Sequence, residues 1–150
     1  MQTFANRLAP YAPTALRVAL GLVFLLHAYM KLFVYTLPGT AAFFVHHGFP
    51  GFMAYPVFLA EAIGGVMLIA GLGTRWVAAG LVPIMVGAIK PHLANGAAFD
   101  SAGGGYEMPM LVLVLLAVQF VLGPGAYALD NVIAARTGRN VRRRSVMTTA

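Results

Sequence analysis

The chain has 150 residues, of which 60% are hydrophobic and only 9% are charged. A water-soluble domain of this size needs a more highly charged surface, so the composition excludes that class and indicates a single integral membrane unit. Cysteine is absent, which excludes a disulfide, a thiolate nucleophile and cysteine-ligated iron–sulfur clusters, so a redox role needs a bound cofactor or a partner. The net charge of +6 is concentrated after the last apolar run, which favours anionic lipid over nucleic acid as a partner.

Four apolar runs follow one another along the chain. A helix needs about 20 mostly apolar residues to cross the hydrocarbon core of a bilayer, and the runs match or nearly match that length. We therefore predict an all-α fold, a four-helix transmembrane bundle. The predicted spans are residues 14–37, 56–72, 75–92 and 106–123. The first run is too long for the apolar core of a signal peptide, so we expect it to stay in the protein as a span.

The segments between the spans predict the connections. Residues 73–74 are Gly-Thr, which is so short that the second and third spans must form a tight antiparallel hairpin. Residues 38–55 have room for a short interfacial helix, and residues 93–105 have the composition of an exposed loop. The chain then divides into a cytoplasmic N-terminal segment, a membrane domain and a basic cytoplasmic tail, at residues 1–13, 14–131 and 132–150.

Lysine and arginine are distributed unevenly between the two sides of the predicted bundle. If both termini are cytoplasmic, the outer side carries two basic residues, Lys31 and Lys90. The eight basic residues of the inner side are then Arg7, Arg17, Arg75, Arg136, Arg139, Arg142, Arg143 and Arg144. The positive-inside rule therefore predicts that the N-terminus and the C-terminus are both cytoplasmic.

The spans carry polar side chains that a lipid-facing helix tolerates poorly. In the predicted topology they fall in the outer half of the bilayer, and they are His27, Lys31, Glu61, Lys90, His92, Tyr106 and Glu107. A charge near the bilayer centre costs on the order of 3 kcal/mol on insertion scales, so these groups should face one another or a water-filled cleft. We predict an outward-facing polar pocket in which Lys31 pairs with Glu61, Lys90 pairs with Glu107, and His27 lines the floor.

A purely structural role is the alternative for these groups. Lys31 and Lys90 are long enough to reach the outer interface, and Glu107 suits the first turn of a helix because of the helix dipole. This alternative has more weight for Lys90 and Glu107, which lie near the surface. It has less weight for His27, Lys31 and Glu61, because ionisable groups deep in a membrane are commonly functional.

The inner half of the spans contains features that indicate packing. Asp130 is the only acidic residue at the inner side and Arg17 lies near the inner end of the first span, so we predict a structural ion pair between them. Gly64, Gly65 and Gly71 on the second span lack side chains that would separate neighbouring helices. We expect these three glycines at a helix–helix contact.

The histidines give little support for a metal or haem site. His46 and His47 are adjacent in an outer loop and chelate poorly without a third ligand, so we predict no metal site. His27 and His92 lie at different depths on different helices, and one such pair is a weak signal for haem.

Several motifs together resemble the DoxX family of small four-helix membrane proteins. The first span contains ALRVALGLVFLLHAYMKL, GLGTR ends the second span, GGYE precedes the fourth, and GPGAYALD follows it. One of these motifs alone is not specific, but the combination is, and the resemblance covers roughly residues 14–131. The residues that match the family's motifs are Arg17, His27, Lys31, Glu61, Gly64, Gly65, Thr74, Arg75, Gly104, Tyr106, Glu107, Gly123, Pro124 and Asp130.

The resemblance implies a bacterial inner-membrane protein that associates with a membrane oxidoreductase system. The family includes a subunit of thiosulfate:quinone oxidoreductase and members linked to a complex that handles oxidative and sulfur stress. A quinone is the cofactor that we expect, with His27, Lys31 and Tyr106 as hydrogen-bond donors and Glu61 as a proton relay. The absence of cysteine argues against thiosulfate chemistry on this chain alone. The alternatives are a non-catalytic membrane partner that anchors a peripheral enzyme, and a small-solute transporter, which would require a homo-oligomer.

Overall fold

The structure, a computed structural model, describes residues 6–137. Within that range the chain forms α-helices and short helical turns, with no β-strand, in agreement with the all-α prediction. The helices are α1, Ala12–Tyr29; α2, Leu37–His46; α3, Ala54–Ala70; α4, Thr74–His92; α5, Glu107–Leu122; and α6, Leu129–Arg136. Single turns of 3-10 helix flank them at Ala9–Tyr11, Gly51–Met53 and Leu93–Asn95. Most of the predicted basic tail lies outside the described residues.

Three continuous helical segments are long and apolar enough to cross a membrane. They are Asn6–Val34, Gly51–Ala70 and Thr74–Asn95. The fourth apolar helix, α5, has only 16 residues. In each of these segments, no more than 28% of the most apolar stretch is buried inside the protein. Long helices that expose so many apolar side chains require an apolar solvent. The chain is therefore a multi-pass membrane protein.

The four long helices α1, α3, α4 and α5 share one apolar core. Its buried members are Leu20, Phe24, Leu68, Ala78, Leu81, Met85, Val112 and Leu116. The helices form two close pairs, α1 with α3 and α4 with α5, and the pairs pack against each other less extensively. The bundle therefore depends strongly on the interface between α1 and α3.

Glycines make the α1–α3 interface close. A Cβ atom added to Gly65 would lie 2.9 Å from the carbonyl oxygen of Gly21, and one added to Gly64 would lie 3.2 Å from the side chain of Leu81 on α4. The backbones of α1 and α3 can approach because neither Gly21 nor Gly65 has a side chain, whereas Gly64 leaves room for Leu81. Gly71 also lies at a close contact, because a Cβ atom added there would lie 2.6 Å from the Cβ atom of Ala128 and 3.0 Å from the guanidinium carbon of Arg17. It ends α3 with a left-handed φ of 72°, a conformation that glycine adopts readily at a helix C-terminus.

Successive long helices run in opposite directions, so the bundle has two distinct ends. Arg17 near the start of α1 contacts the last turn of α3, whereas Lys31 beyond the end of α1 contacts Glu61 in the first half of α3. We call these the Arg17 end and the Lys31 end. The C-terminus of α4, the N-terminus of α5 and the helix α2 all belong to the Lys31 end.

Candidate functional site

Lys31 and Glu61 form an ion pair between α1 and α3. The Lys31 Nζ atom donates to both oxygens of the Glu61 carboxylate, at 2.9 Å to Oε1 and 2.7 Å to Oε2. The side chain of Glu61 is only 2% exposed, while that of Lys31 is 15% exposed. A buried carboxylate is tolerated in such surroundings when a partner neutralises its charge and satisfies its lone pairs. The ammonium group retains one N–H that Glu61 does not use, since lysine has three.

A local irregularity of the first helix positions Lys31. Residues Met30–Val34 form a π-helical turn at the end of α1, and the Tyr35 N–H accordingly donates to the carbonyl of Met30 at 2.8 Å. Such turns are rare and frequently occur at functional sites. The wider turn rotates the residues that follow it relative to an ideal α-helix, so a sequence pattern based on 3.6 residues per turn does not predict their direction.

His27 lies one turn before Lys31, and its ring has a defined orientation. The His27 Nδ1 atom is 2.8 Å from the carbonyl oxygen of Val23. A carbonyl oxygen only accepts, so Nδ1 must carry the hydrogen, and in the neutral ring Nε2 is then an acceptor. The side chain is exposed, and its spacing of four residues from Lys31 places the two side chains on neighbouring turns of the same helical run.

The helix α2 lies beside the ion pair. It follows Thr36, whose φ of 60° is unusual for a residue other than glycine, and the Thr36 Oγ1 atom accepts from the N–H of Gly39 at 3.2 Å as the helix cap. Thr40 is buried and donates to the carbonyl of Thr36. Because α2 packs against both α3 and the π-helical turn, it covers the Lys31 end of the α1–α3 interface.

Lys90 does not pair with Glu107, so this part of the prediction is wrong. The Lys90 Nζ atom instead lies over the ring of Phe49, 4.5 Å from its centroid. The segment that follows α2 folds back over the end of α4, and the aromatic face attracts the ammonium group there.

Glu107 and two other predicted pocket residues organise the loop between α4 and α5. The Glu107 Oε2 atom accepts from the N–H of Phe99 at 3.2 Å, and His92 Nδ1 donates to the carbonyl of Gly104 at 2.9 Å. Tyr106 donates its backbone N–H to the carbonyl of Gly96. The seven predicted pocket residues therefore divide into separate groups, and the contacts of His92, Tyr106 and Glu107 are those of loop-forming residues.

Arg17 and Asp130 do not form the predicted ion pair. Arg17 is 2% exposed, and its guanidinium group donates only to backbone carbonyls. The acceptors are Leu68, Ile69, Pro124, Ala126 and Tyr127. Two of these carbonyls belong to the last turn of α3, where the helix dipole favours a cation.

Asp130 has a different role at the same end of the bundle. Its Oδ1 atom accepts from the N–H of Gly73 at 2.7 Å and its Oδ2 atom from the N–H of Thr74 at 3.0 Å. The carboxylate therefore caps the N-terminus of α4, which favours a negative charge. Arg17 donates to carbonyls at the end of α3, and Asp130 accepts from N–H groups at the start of α4. Each charged group therefore has its own hydrogen-bond partners without an ion pair between the two.

Gln119 on α5 is a buried polar residue that the sequence analysis did not select. It is fully buried, and its Nε2 atom donates to the carbonyl of Gly123 at 2.6 Å. Its Oε1 atom and the hydroxyl of Thr74 have no partner among the described residues. The only signal in the sequence was one amide within an otherwise apolar span.

Comparisons with known proteins agree with this architecture. A family model described as DoxX matches residues 12–121. A relative from Bacillus subtilis (strain 168), named "Putative oxidoreductase CatD", is 40% identical over 90 residues, which cover 57% of this chain and 66% of the relative, just under two thirds of its length. No solved structure matches the chain.

Proposed function

The chain belongs to the DoxX family, and we propose that it is a bacterial inner-membrane subunit of an oxidoreductase system with a quinone head-group site at Lys31, Glu61 and His27. The similar protein from Bacillus subtilis is named as an oxidoreductase, which supports the redox assignment. The observation on which the site depends most is the buried Lys31–Glu61 ion pair beside an exposed imidazole.

The proposed topology has four spans, with both termini in the cytoplasm and α2 at the outer interface. The uneven distribution of lysine and arginine supports it. The fourth span is α5, whose 16 residues extend about 24 Å at 1.5 Å per residue. This is less than the hydrocarbon thickness of about 30 Å, a mismatch that local thinning of the bilayer accommodates. In this topology the Lys31 end faces the periplasmic side of the membrane.

The donors and acceptors at the Lys31 end fit the two redox forms of a quinone. The oxidised form presents carbonyl oxygens, which require hydrogen-bond donors, and the spare N–H of Lys31 is one. The reduced form presents hydroxyl groups, and the neutral His27 ring offers Nε2 as an acceptor because Nδ1 is bound to Val23. When bound, a quinone supplies two-electron, two-proton redox chemistry.

In this proposal, His27 accepts protons, and Lys31 and Glu61 orient the quinone head group. If a hydroquinone were bound, Nε2 of His27 would accept the proton of one hydroxyl group and pass it to water, so that the same ring could accept the second proton. Lys31 holds the carboxyl group of Glu61 in position through two hydrogen bonds. Since the chain has no cysteine, it supplies no thiol or cysteine-ligated iron–sulfur centre, and the electrons of a bound quinone would be exchanged with a redox centre of a partner subunit.

A matched pair of histidine variants tests the proposal. His47 also has its Nδ1 atom 2.8 Å from the carbonyl four residues earlier, that of Phe43, but it lies after α2, outside the α1–α3 interface. Binding of the reduced, hydroquinone form of a short-chain benzoquinone analogue, whose hydroxyl groups can donate to Nε2 of His27, is measured by titration of the purified protein in detergent under reducing conditions. We expect His27→Ala to weaken binding about tenfold, the scale of one lost hydrogen bond that leaves the bound hydroxyl group without an acceptor, and His47→Ala to leave it within twofold. Equal affinities for the two variants, or no binding by the wild type, would contradict the proposal.

A non-catalytic membrane partner is the second candidate function. It is favoured by the fact that Lys31 occupies both oxygens of Glu61, an arrangement that would also lock α1 to α3 without any ligand. In this case the protein anchors a peripheral enzyme, and gentle purification should recover a fixed partner in a constant ratio whether or not His27 is replaced. A stable protein without a bound partner, with affinity for quinone, would contradict it.

A further inference from the structure

A groove at the Arg17 end lies far from the proposed quinone site. It has a volume of about 720 Å³ and is formed by the last residue of α3, the segment before α6, and one side of α6. The residues that matter for its chemistry are Ala70, Tyr127, Val132, Ala135 and Arg136. Its lining is mostly apolar, and Tyr127, Asn131 and Arg136 contribute its polar groups.

Hydrogen bonds hold the walls of the groove in place. The Asp130 N–H donates to the carbonyl of Gly71 at 2.9 Å, and the Asp130 carboxylate caps the start of α4. The Asn131 side chain donates to the carbonyl of Gly125 at 2.7 Å. The helix α6 is therefore fixed against the end of α3, and the groove is a built feature of the fold.

The surface around the groove has the character of a membrane interface. Leu129, Val132 and Ile133 on α6 are each between 45% and 47% exposed, and their spacing places them on one helical face. Tyr127 and Trp76 are each 81% exposed at this end of the bundle. Tyrosine and tryptophan are enriched where the headgroups of a bilayer meet its hydrocarbon, so the groove opens at headgroup depth.

The charges near the groove favour an anion. Arg136 is exposed and has no carboxylate partner among residues 6–137. Asp130 is the acidic residue of this end of the bundle, and backbone N–H groups engage both of its oxygens. A guanidinium group above an apolar groove matches a phosphate joined to acyl chains, because its planar fork binds phosphate in a bidentate manner.

We propose that this groove binds one anionic phospholipid, with the phosphate on Arg136 and an acyl chain along Ala70, Val132 and Ala135. The inference is independent of the quinone site, which lies at the opposite end of the bundle. A bound lipid would connect α6 to α3 and would add apolar contacts to a helix whose own apolar face is exposed.

Native mass spectrometry of the full chain tests the proposal with two probes, phosphatidylglycerol and phosphatidylcholine with identical acyl chains. We expect the wild type to prefer phosphatidylglycerol, and Arg136→Gln to weaken that binding about fivefold, the effect of one basic residue at an anionic headgroup, while phosphatidylcholine binding is unchanged. Arg7→Gln is the matched control, since it removes the same charge at the same end of the bundle but outside the groove, and it should change binding less than twofold.

A second pair of variants tests the apolar part of the site without altering charge. Ala135→Trp fills the groove and should abolish the preference for phosphatidylglycerol, whereas Ile133→Trp adds the same bulk on an exposed position outside the lining and should leave it intact. Equal losses in Arg136→Gln and Arg7→Gln would overturn the proposal, because they would indicate attraction by net charge alone. Equal wild-type affinity for the two lipids would overturn it as well.

Discussion

Replacing Lys31 with methionine should destabilise the bundle more than replacing Glu61 with glutamine. The variant Lys31→Met leaves a carboxylate that is only 2% exposed without its partner, and breaking a buried pair in this way costs about 3–5 kcal/mol. The variant Glu61→Gln leaves an ammonium group on a side chain that is 15% exposed and that still meets an amide oxygen. Its cost should be about 1–2 kcal/mol, the scale of a weakened hydrogen bond to a charged group.

The double variant Lys31→Met/Glu61→Gln removes both charges and should lie within about 2 kcal/mol of the wild type, because neutral replacement of a buried pair is often tolerated. The control is Lys90→Met, which loses only a contact with the ring of Phe49 worth about 0.5–1 kcal/mol at an exposed site. The free energy of unfolding is measured by circular dichroism in mild detergent. A cost below about 1 kcal/mol for Lys31→Met, or a larger cost for Glu61→Gln than for Lys31→Met, would refute the reasoning.

Two further predictions concern packing away from the Lys31 end. Arg17→Gln should lower the free energy of unfolding by at least about 3 kcal/mol, because several carbonyls lose their donors at once. Arg17→Lys should restore less than half of that loss, because an ammonium group lacks the planar fork of a guanidinium group. Equal stability of Arg17→Lys and the wild type in the same unfolding assay would count against this. Gly65→Ala should cost about 1–3 kcal/mol because its Cβ would lie 2.9 Å from the carbonyl oxygen of Gly21, whereas Gly80→Ala, whose Cβ meets no atom within 4 Å, should be neutral or stabilising by up to about 1 kcal/mol. Thermal unfolding of the two alanine variants separates close packing from helix propensity, and a stabilising Gly65→Ala would show that the α1–α3 contact is looser than described.

The positions of the long helices followed closely from the pattern of apolar residues. The predicted spans at 56–72 and 75–92 correspond to α3 and α4, Ala54–Ala70 and Thr74–His92. The agreement has a physical basis, because a membrane helix must satisfy its own backbone and face lipid along most of its length. The short connection after α3 also follows from its glycines, which adopt the left-handed conformation that ends a helix.

The partners of the charged side chains were predicted from the sequence much less well than the helices. Lys31 and Glu61 meet as expected, since each needs an opposite charge within an apolar bundle. Arg17 donates to backbone carbonyls, and the ammonium group of Lys90 lies over an aromatic ring. Neither partner is an acidic residue, so a search for opposite charges in the sequence does not find it. Charge-pairing arguments consider only side chains, so they overlook the unpaired carbonyls at helix ends.

The π-helical turn was also not predictable from periodicity. Residues Met30–Val34 continue the same apolar run as α1, and a window based on 3.6 residues per turn treats them as ordinary helix. The wider turn contacts α2 and is followed by the junction at Thr36, where φ is positive. Such features follow from tertiary packing, and the direction of Lys31 depends on them.

The most direct test of the central claim is mass spectrometry of the organic extract from protein purified out of bacterial membranes in mild detergent. The wild type is compared with Lys31→Met/Glu61→Gln, which removes both charges of the proposed site while keeping similar side-chain volumes. The account predicts a quinone in near-stoichiometric amount with the wild type and its loss from the variant. Absence of quinone from both samples, or equal amounts in both, would contradict a quinone site at the Lys31 end and would favour the structural lock between α1 and α3.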